Sequence, residues 1–352
     1  MTRLASRWKG LTSLPHVDLG IVETPVEVLP HLSKDLMTEV WCKRDDKTSP
    51  LYGGNKVRKL EFLFGEARAR GAKTVITVGA LGSHHVLATS LFGKQAGFEV
   101  HAVLGPQAPT EHVRENILCD LAADAKLHIV PSFAFVPPAV QALNLQLRLL
   151  GKCPFIIPAG GSNDIGALGY VEAGLELAAQ LDRGDAPETR AIYMPLGTGG
   201  TVAGAAVGLA AMGITAEIVA VRVTAAALAN RHALKKLVYS LVSRLQTHDS
   251  RFPDVRDLAL RNIRIDSSEY GKGYGLATDA GRDATARAAR DGLIVETTYT
   301  AKALAGLLRE ARNRYKGEKV MYWHTLSSAD LSPLIARAPV VPRSVQRYLD
   351  AR

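Results

Sequence analysis

A lysine stands in an odd place in the stretch YGGNKVRKLEFLFGEARARG, residues 52–71. Lys56 directly follows Gly53, Gly54 and Asn55, and helical spacing begins there. Leu60, Leu63, Phe64 and Ala67 share a face, with Arg58, Lys59, Glu61, Glu66, Arg68 and Arg70 interleaved on a wet one. Asn55 reads as the N-cap, which makes Lys56 the first helical residue. The helix dipole is positive at that end and opposes a cation. A surface lysine gains nothing from such a place, whereas a lysine that must react as an uncharged amine does.

Four other stretches carry groups capable of chemistry. Gly197, Thr198, Gly199, Gly200 and Thr201 follow a strand-like run and open a helical one, so their N–H groups and hydroxyls could wrap a phosphate. No Gly-Lys-Ser/Thr follows, which excludes a nucleotide P-loop. Val202 occupies the place of a third glycine, and the next strand ends at Thr224 without an acid for a ribose, which excludes the dinucleotide pattern. Taken alone, the loop is an anion site or a tight turn. Ser83, His84 and His85 lie at a strand-to-helix junction, where adjacent residues rarely point at one another. Their plain reading is an N-cap at Ser83 beside two solvent-facing histidines. No third ligand stands at a useful spacing, so no metal is expected. Tyr299, in ETTYTAK, and Thr325, in YWHTLSS, each end a strand-like run; packing and capping are their default roles.

The elements that must position these groups alternate. TVITVGA, EVHAVL, KLHIV, FIIPAGG, AIYMPLG, EIVAVRV, LIVETTYT and KVMYWHT read as strands, separated by single helices. Strands without polar alternation imply parallel sheets covered on both faces. The number of units implies two α/β domains. Residues 182–190 and 246–257 read as surface connections. The expected boundaries are 1–55 with 166–352 for a larger domain and 56–165 for a smaller one inserted in it.

Composition narrows the classes. Hydrophobic residues at 47% and charged residues at 22% are ordinary for a globular protein. No apolar run approaches the ~20 residues of a membrane span, and the basic N-terminus lacks an apolar signal core. The three cysteines are scattered and odd in number, so a reduced, cytoplasmic protein is expected. The formal net charge of +9 is spread along the chain with few aromatics, which argues against nucleic-acid binding. Small anionic substrates suit such a surface better.

Together the motifs resemble a known family. KRDDKTSPLYGGNKVRKLEFL, GALGSHHV, PAGGSNDIGALGYVEAGLEL, GTGGTVAG, EYGKGYG, VETTYTAKALAGL and YWHT are similar to the 1-aminocyclopropane-1-carboxylate deaminase and D-cysteine desulfhydrase family. Its members are pyridoxal-phosphate enzymes of the tryptophan-synthase-β fold type, with the cofactor in the cleft between two open parallel-sheet domains. The resemblance implies that Lys56 binds the cofactor aldehyde and that Gly197, Thr198, Gly199, Gly200 and Thr201 hold its phosphate. It places Asn55 and His84 against the cofactor and the Thr325 hydroxyl at the pyridine nitrogen. Ser83, His84 and His85 would receive the substrate carboxylate, and Tyr299 would transfer a proton or position substrate. A homodimer is expected on the same ground.

Thr300 follows Tyr299, where the deaminase branch has glutamate; threonine there is similar to the desulfhydrase branch. The implied reaction is β-elimination from a small D-amino acid, D-cysteine leading, to a keto acid, ammonia and sulfide. A changed reaction on the same cofactor (β-replacement, isomerisation or ring-opening deamination) and a non-catalytic cofactor carrier are the alternatives. Retention of Lys56, Ser83, Tyr299 and Thr325 together argues against the carrier. The chain departs from the family at Gly82, Ser83 and His84 (Gln-Ser-Asn there), at Glu296, Thr297, Thr298 and Tyr299 (Asp-Pro-Val-Tyr), and at Leu326 and Ser327 (a glycine pair).

Overall fold

A computed structural model describes residues 1–350. The chain forms two compact units. The larger comprises Met1–Leu14, Ile21–Arg58 and Ser162–Ser328; the smaller comprises Pro15–Gly20, Lys59–Gly161 and the chain from Ala329. Ten strands run in chain order: β1 (Val26–Val28), β2 (Glu39–Arg44), β3 (Thr74–Ala80), β4 (Glu99–Gly105), β5 (Lys126–Ile129), β6 (Pro154–Ile157), β7 (Ala191–Leu196), β8 (Glu217–Arg222), β9 (Ile263–Asp266) and β10 (Lys319–His324).

In the larger unit six strands take the order β1-β2-β10-β7-β8-β9. All neighbours are parallel except β1, which pairs antiparallel to β2. Every residue of β7 is buried, as a strand covered on both faces requires. One face packs Tyr193, Val219, Val221 and Tyr322 against Leu304 and Leu307 of the helix Thr300–Arg314. Elsewhere the helices Leu168–Arg183 and Gly200–Ala211 meet almost backbone to backbone. A Cβ at Gly204 would lie 2.3 Å from the Ala167 carbonyl oxygen, and one at Gly208 would lie 2.5 Å from that of Val171. This contact explains the small-residue run TVAGAAVGLAA and fixes the helix that opens at the glycine loop.

The smaller unit has a fully parallel four-stranded sheet, β5-β4-β3-β6. Its core joins Leu81, Val86, Ala102, Leu104, Val113 and Ile117, and Val345 packs into the same cluster. That apolar contact carries the chain beyond Ser328 into the smaller unit, although the sequence boundaries assign it to the larger.

Parallel strands alternating with helices appear as the sequence implies, with differences. LIVETTYT is not a strand: residues 293–296 carry no regular secondary structure and lie outside the sheet, with Leu293 and Val295 buried in the core. Strands β1, β2 and β9 have no counterpart in the sequence reading, being short or partly exposed. Residues 246–248 belong to the helix Arg231–His248, and Arg256 and Asp257 open another, Arg256–Arg261.

Candidate active site

The helix Asn55–Ala69 begins at Asn55 itself, so Asn55 is not an N-cap and Lys56 is the second helical residue. The Asn55 side chain has other work. Its Nδ2 donates to Thr201 Oγ1 at 2.9 Å, and its Oδ1 accepts from Lys56 Nζ at 2.8 Å. The lysine and the glycine loop are thereby joined through one amide. Gly54 just before has φ +85°, and a Cβ there would lie 2.6 Å from the Thr325 carbonyl oxygen. That oxygen accepts the Asn55 N–H at 3.1 Å. Glycine is thus required where the lysine loop passes Thr325.

Two residues beyond Lys56, Arg58 locks the start of the helix. It donates to both oxygens of Glu176 at 2.9 and 3.0 Å and to Asp45 Oδ1 at 2.9 Å, all buried. Tyr170 Oη donates to Asp45 Oδ2 at 2.6 Å. Among the described residues Lys56 has no such carboxylate in hydrogen-bond contact. Burial pushes its ammonium down to about 8, only partly opposed by the negative charge of Glu296. An amine in that range is a usable nucleophile and base near neutral pH.

The loop at 197–201 leads into the N-terminus of the helix Gly200–Ala211. Gly199, the N-cap of Gly200–Ala211, has φ +88° and supplies no side-chain cap. Ser162 Oγ accepts from Gly200 N at 3.2 Å and shares a 2.6 Å hydrogen bond with Thr198 Oγ1. A Cβ at Gly197 would touch the Tyr299 ring at 3.4 Å, so the tyrosine stands against this loop. Its ring centroid lies 6.0 Å from Lys56 Nζ. Tyr299 Oη is 2.5 Å from Tyr274 Oη, the rings edge to face. Burial raises both phenols, Tyr299 well above its ordinary value, so both keep their protons.

Ser83, His84 and His85 belong to the smaller unit. Ser83 is the N-cap of the helix His84–Gln95 and accepts from Val86 N at 3.4 Å, as the sequence implies. His85 does not face solvent: it is 2% exposed, because that helix is buried along nearly its whole length. The His84 ring lies 4.5 Å from that of His112. The preceding Gly82 is held at both backbone groups, donating to Gln107 Oε1 at 3.0 Å and accepting from Asn116 Nδ2 at 2.9 Å.

The larger unit therefore brings Lys56, Asn55, Gly197, Thr201, Tyr299 and Thr325 together. Sequence reasoning assigned no role to Tyr274, Ser162 or Glu296. Tyr274 and Ser162 were visible only as members of the motifs EYGKGYG and PAGGSND. Glu296 precedes the helix it caps, opposite to the usual capping-box order, so its pattern gave no signal. Among the described residues, no group of three or more His, Cys, Asp or Glu could hold a metal ion, and no helix is long and apolar enough to cross a membrane.

This donor set fits pyridoxal phosphate: an amine of depressed basicity for the aldehyde, a glycine loop with two threonine hydroxyls at a helix N-terminus for the phosphate, and a hydroxyl-bearing residue beside the lysine loop. Comparisons with known proteins agree. Residues 17–325 match the family described as pyridoxal-phosphate dependent enzyme. A D-cysteine desulfhydrase of Klebsiella pneumoniae is 34% identical over 326 residues, 90% of this chain and 95% of its own. A Pyrococcus furiosus protein provisionally named a 1-aminocyclopropane-1-carboxylate deaminase is 34% identical over 320 residues, 90% of this chain and 92% of its own. A crystal structure of an ACC deaminase homologue superposes with a TM-score of 0.79 at 29% identity, covering 95% of this chain and 99% of that one.

Proposed function

The chain belongs to the pyridoxal-phosphate-dependent enzyme family, as an enzyme of the deaminase and desulfhydrase kind, and from that premise we propose that it catalyses β-elimination from a small D-amino acid, with D-cysteine as substrate. The products are a keto acid, ammonia and sulfide. The cofactor supplies, when bound, an aldehyde for the substrate amine and a conjugated ring that accepts electrons from the Cα bond.

The chain's own residues divide the remaining work. Lys56 would bind the cofactor aldehyde and, as a free amine, would take the Cα proton. Residues 197–201 hold the phosphate through N–H groups and the Thr198 and Thr201 hydroxyls, and Asn55 ties Thr201 to the lysine. Ser83, with the N-terminal N–H groups of its helix, receives the substrate carboxylate beside His84 and His85. Tyr299, kept protonated and hydrogen-bonded to Tyr274, donates to the departing sulfur. The Thr325 hydroxyl would be the partner of the pyridine nitrogen, and a hydroxyl would not hold that nitrogen protonated as a carboxylate would, which suits prompt loss of a β-leaving group.

One observation carries the desulfhydrase reading over ring-opening deamination. The residue after Tyr299 is Thr300, and its hydroxyl is committed to the helix cap, accepting from Glu296 N at 2.9 Å. It offers no carboxylate to the ring nitrogen. The names of the relatives keep 1-aminocyclopropane-1-carboxylate as the second substrate to try. We also propose a cytoplasmic homodimer: Cys42, Cys119 and Cys153 are free thiols, and the uncharged run 131–147 exposes Leu145.

The test is keto-acid and sulfide release from D-cysteine by the purified enzyme, with L-cysteine and 1-aminocyclopropane-1-carboxylate in parallel. Selective turnover of D-cysteine supports the assignment. Turnover of the cyclopropane substrate alone transfers the chain to the other branch. His84→Asn, which restores the family's residue, is expected to raise D-cysteine cleavage.

A further inference from the structure

Every residue of the glycine loop is held by a contact from elsewhere in the larger unit. Gly197 backs onto the Tyr299 ring, and a Cβ at Gly199 would lie 3.2 Å from Leu234 Cδ2. Thr201 Oγ1 accepts from Asn55 Nδ2 at 2.9 Å. The other two residues share one holder. Ser162 Oγ lies 2.6 Å from Thr198 Oγ1 and accepts from Gly200 N at 3.2 Å. One hydroxyl from outside the loop thus takes the N–H that opens the helix Gly200–Ala211, where the N-cap Gly199 has no side chain to offer.

The segment that carries this hydroxyl is itself anchored. Asn163 Oδ1 accepts from Gly166 N at 2.8 Å and closes the turn after it. Asp164 Oδ2 pairs with Arg244 Nε at 2.7 Å. Arg244 lies in the helix Arg231–His248, which also supplies Leu234 against Gly199. Ser162 and Leu234 therefore brace the loop from two segments that are joined to each other by an ion pair. Such a loop meets its ligand already shaped, and ordering it then costs little affinity.

We propose that Ser162 is a positioning residue of the phosphate site: its hydroxyl sets the Thr198 hydroxyl and the start of the helix Gly200–Ala211 in the arrangement that receives the phosphate of the cofactor. The inference rests on the reading of residues 197–201 as the phosphate loop. Alanine at 162 removes both contacts, whereas threonine keeps the hydroxyl.

The experiment compares apo forms of the wild type, Ser162→Ala and Ser162→Thr. Each is titrated with pyridoxal phosphate and, separately, with pyridoxal, which lacks the phosphate; visible absorbance gives the two Kd values. A hydroxyl that only stabilised the fold would shift both alike, so the ratio of the two is the readout. In Ser162→Ala the preference for the phosphorylated form should fall by roughly tenfold, with pyridoxal affinity almost unchanged. Ser162→Thr should recover most of that preference. An unchanged ratio in Ser162→Ala overturns the inference, whether or not both affinities drop. So does an equal fall in Ser162→Thr, which would assign the effect to packing and not to the hydroxyl. A wild type without preference for the phosphorylated form would instead overturn the reading of the loop itself. Should Ser162→Ala not fold, Ser162→Cys decides: a wild-type ratio there sinks the proposal.

Discussion

Lys43 and Lys56 are both lysines of the larger unit, the first fully buried and the second half-buried, and their surroundings differ. Lys43 is fully buried and has three acceptors for its three protons: Glu176 Oε1 at 2.5 Å, the Thr24 carbonyl oxygen at 2.7 Å and Gln180 Oε1 at 2.8 Å. Burial alone would raise the Glu176 carboxyl, but Arg58 and Lys43 reverse this and hold it well below the usual carboxylate range. Lys56 donates to the neutral Asn55 amide, and its carboxylate neighbour acts only through space. Burial pushes both ammonium groups down; at Lys43 the charges of Glu176 and Asp45 oppose it, whereas at Lys56 Glu296 opposes it only in part. The difference between the two lysines lies in the hydrogen-bonded ion pair that Lys43 has and Lys56, among the described residues, lacks, not in burial as such.

Exchanging either lysine should separate the two regions cleanly. Lys56→Ala is expected to abolish borohydride-fixable cofactor and to lower turnover by at least about a thousandfold. Its apo form should unfold within about 1 kcal/mol of wild type. Retention of reducible colour would falsify the lysine assignment. Lys43→Met should do the reverse, costing about 3 kcal/mol in urea unfolding because it leaves Glu176 short of a buried partner. The folded fraction should still take up cofactor at Lys56; a Lys43 variant of normal stability would mean that Arg58 and Arg3 together satisfy Glu176.

Tyr299→Phe probes the reactive region without touching its lysine. The phenol is protonated and bonded to Tyr274 at 2.5 Å, so its loss removes a proton donor and strands a partner hydroxyl. Turnover should fall by about a hundredfold while cofactor absorbance persists. Near-normal rates with the preferred substrate would remove Tyr299 from the chemistry and turn attention to Tyr274.

The alternating architecture was legible because parallel strands buried on both faces are nearly continuous apolar runs, and β3, β4, β7, β8 and β10 show this in sequence. LIVETTYT misled for the same reason, since an irregular segment that buries apolar side chains outside a sheet has the same composition. Lys56 was legible from its helix-start position, yet Asn55 was misread because its side chain serves Thr201 and Lys56 in place of its own helix. Glu296 and Tyr274 were not legible as site residues. Their roles depend on where residues 266–299 run, and no local periodicity encodes that path.

The smaller unit supplies a buried acid without a cation, and so the mildest test of the same contrast. Asp120 is 1% exposed; its Oδ1 accepts from Ser90 Oγ at 2.8 Å, and its Oδ2 has no partner among the described residues. It lies in the last turn of the helix Glu111–Ala122, where the dipole also disfavours a negative charge. Burial pushes its carboxyl up to about 8, with the Ser90 bond opposing only in part. In the unfolded chain it titrates near ~3.9. Between those values the folded state holds a proton that the unfolded state has lost. Its contribution is therefore fully present below the lower value and is lost as pH rises, by up to about 1.4 kcal/mol per pH unit, until about pH 8. Asp120→Asn removes the titration while keeping the shape and an acceptor for Ser90. The variant's unfolding midpoint should vary less between pH 5 and 8 than that of wild type, and it should be the more stable of the two at pH 8. Parallel pH profiles would mean that a cation or ordered water compensates Asp120 as Arg58 and Lys43 compensate Glu176.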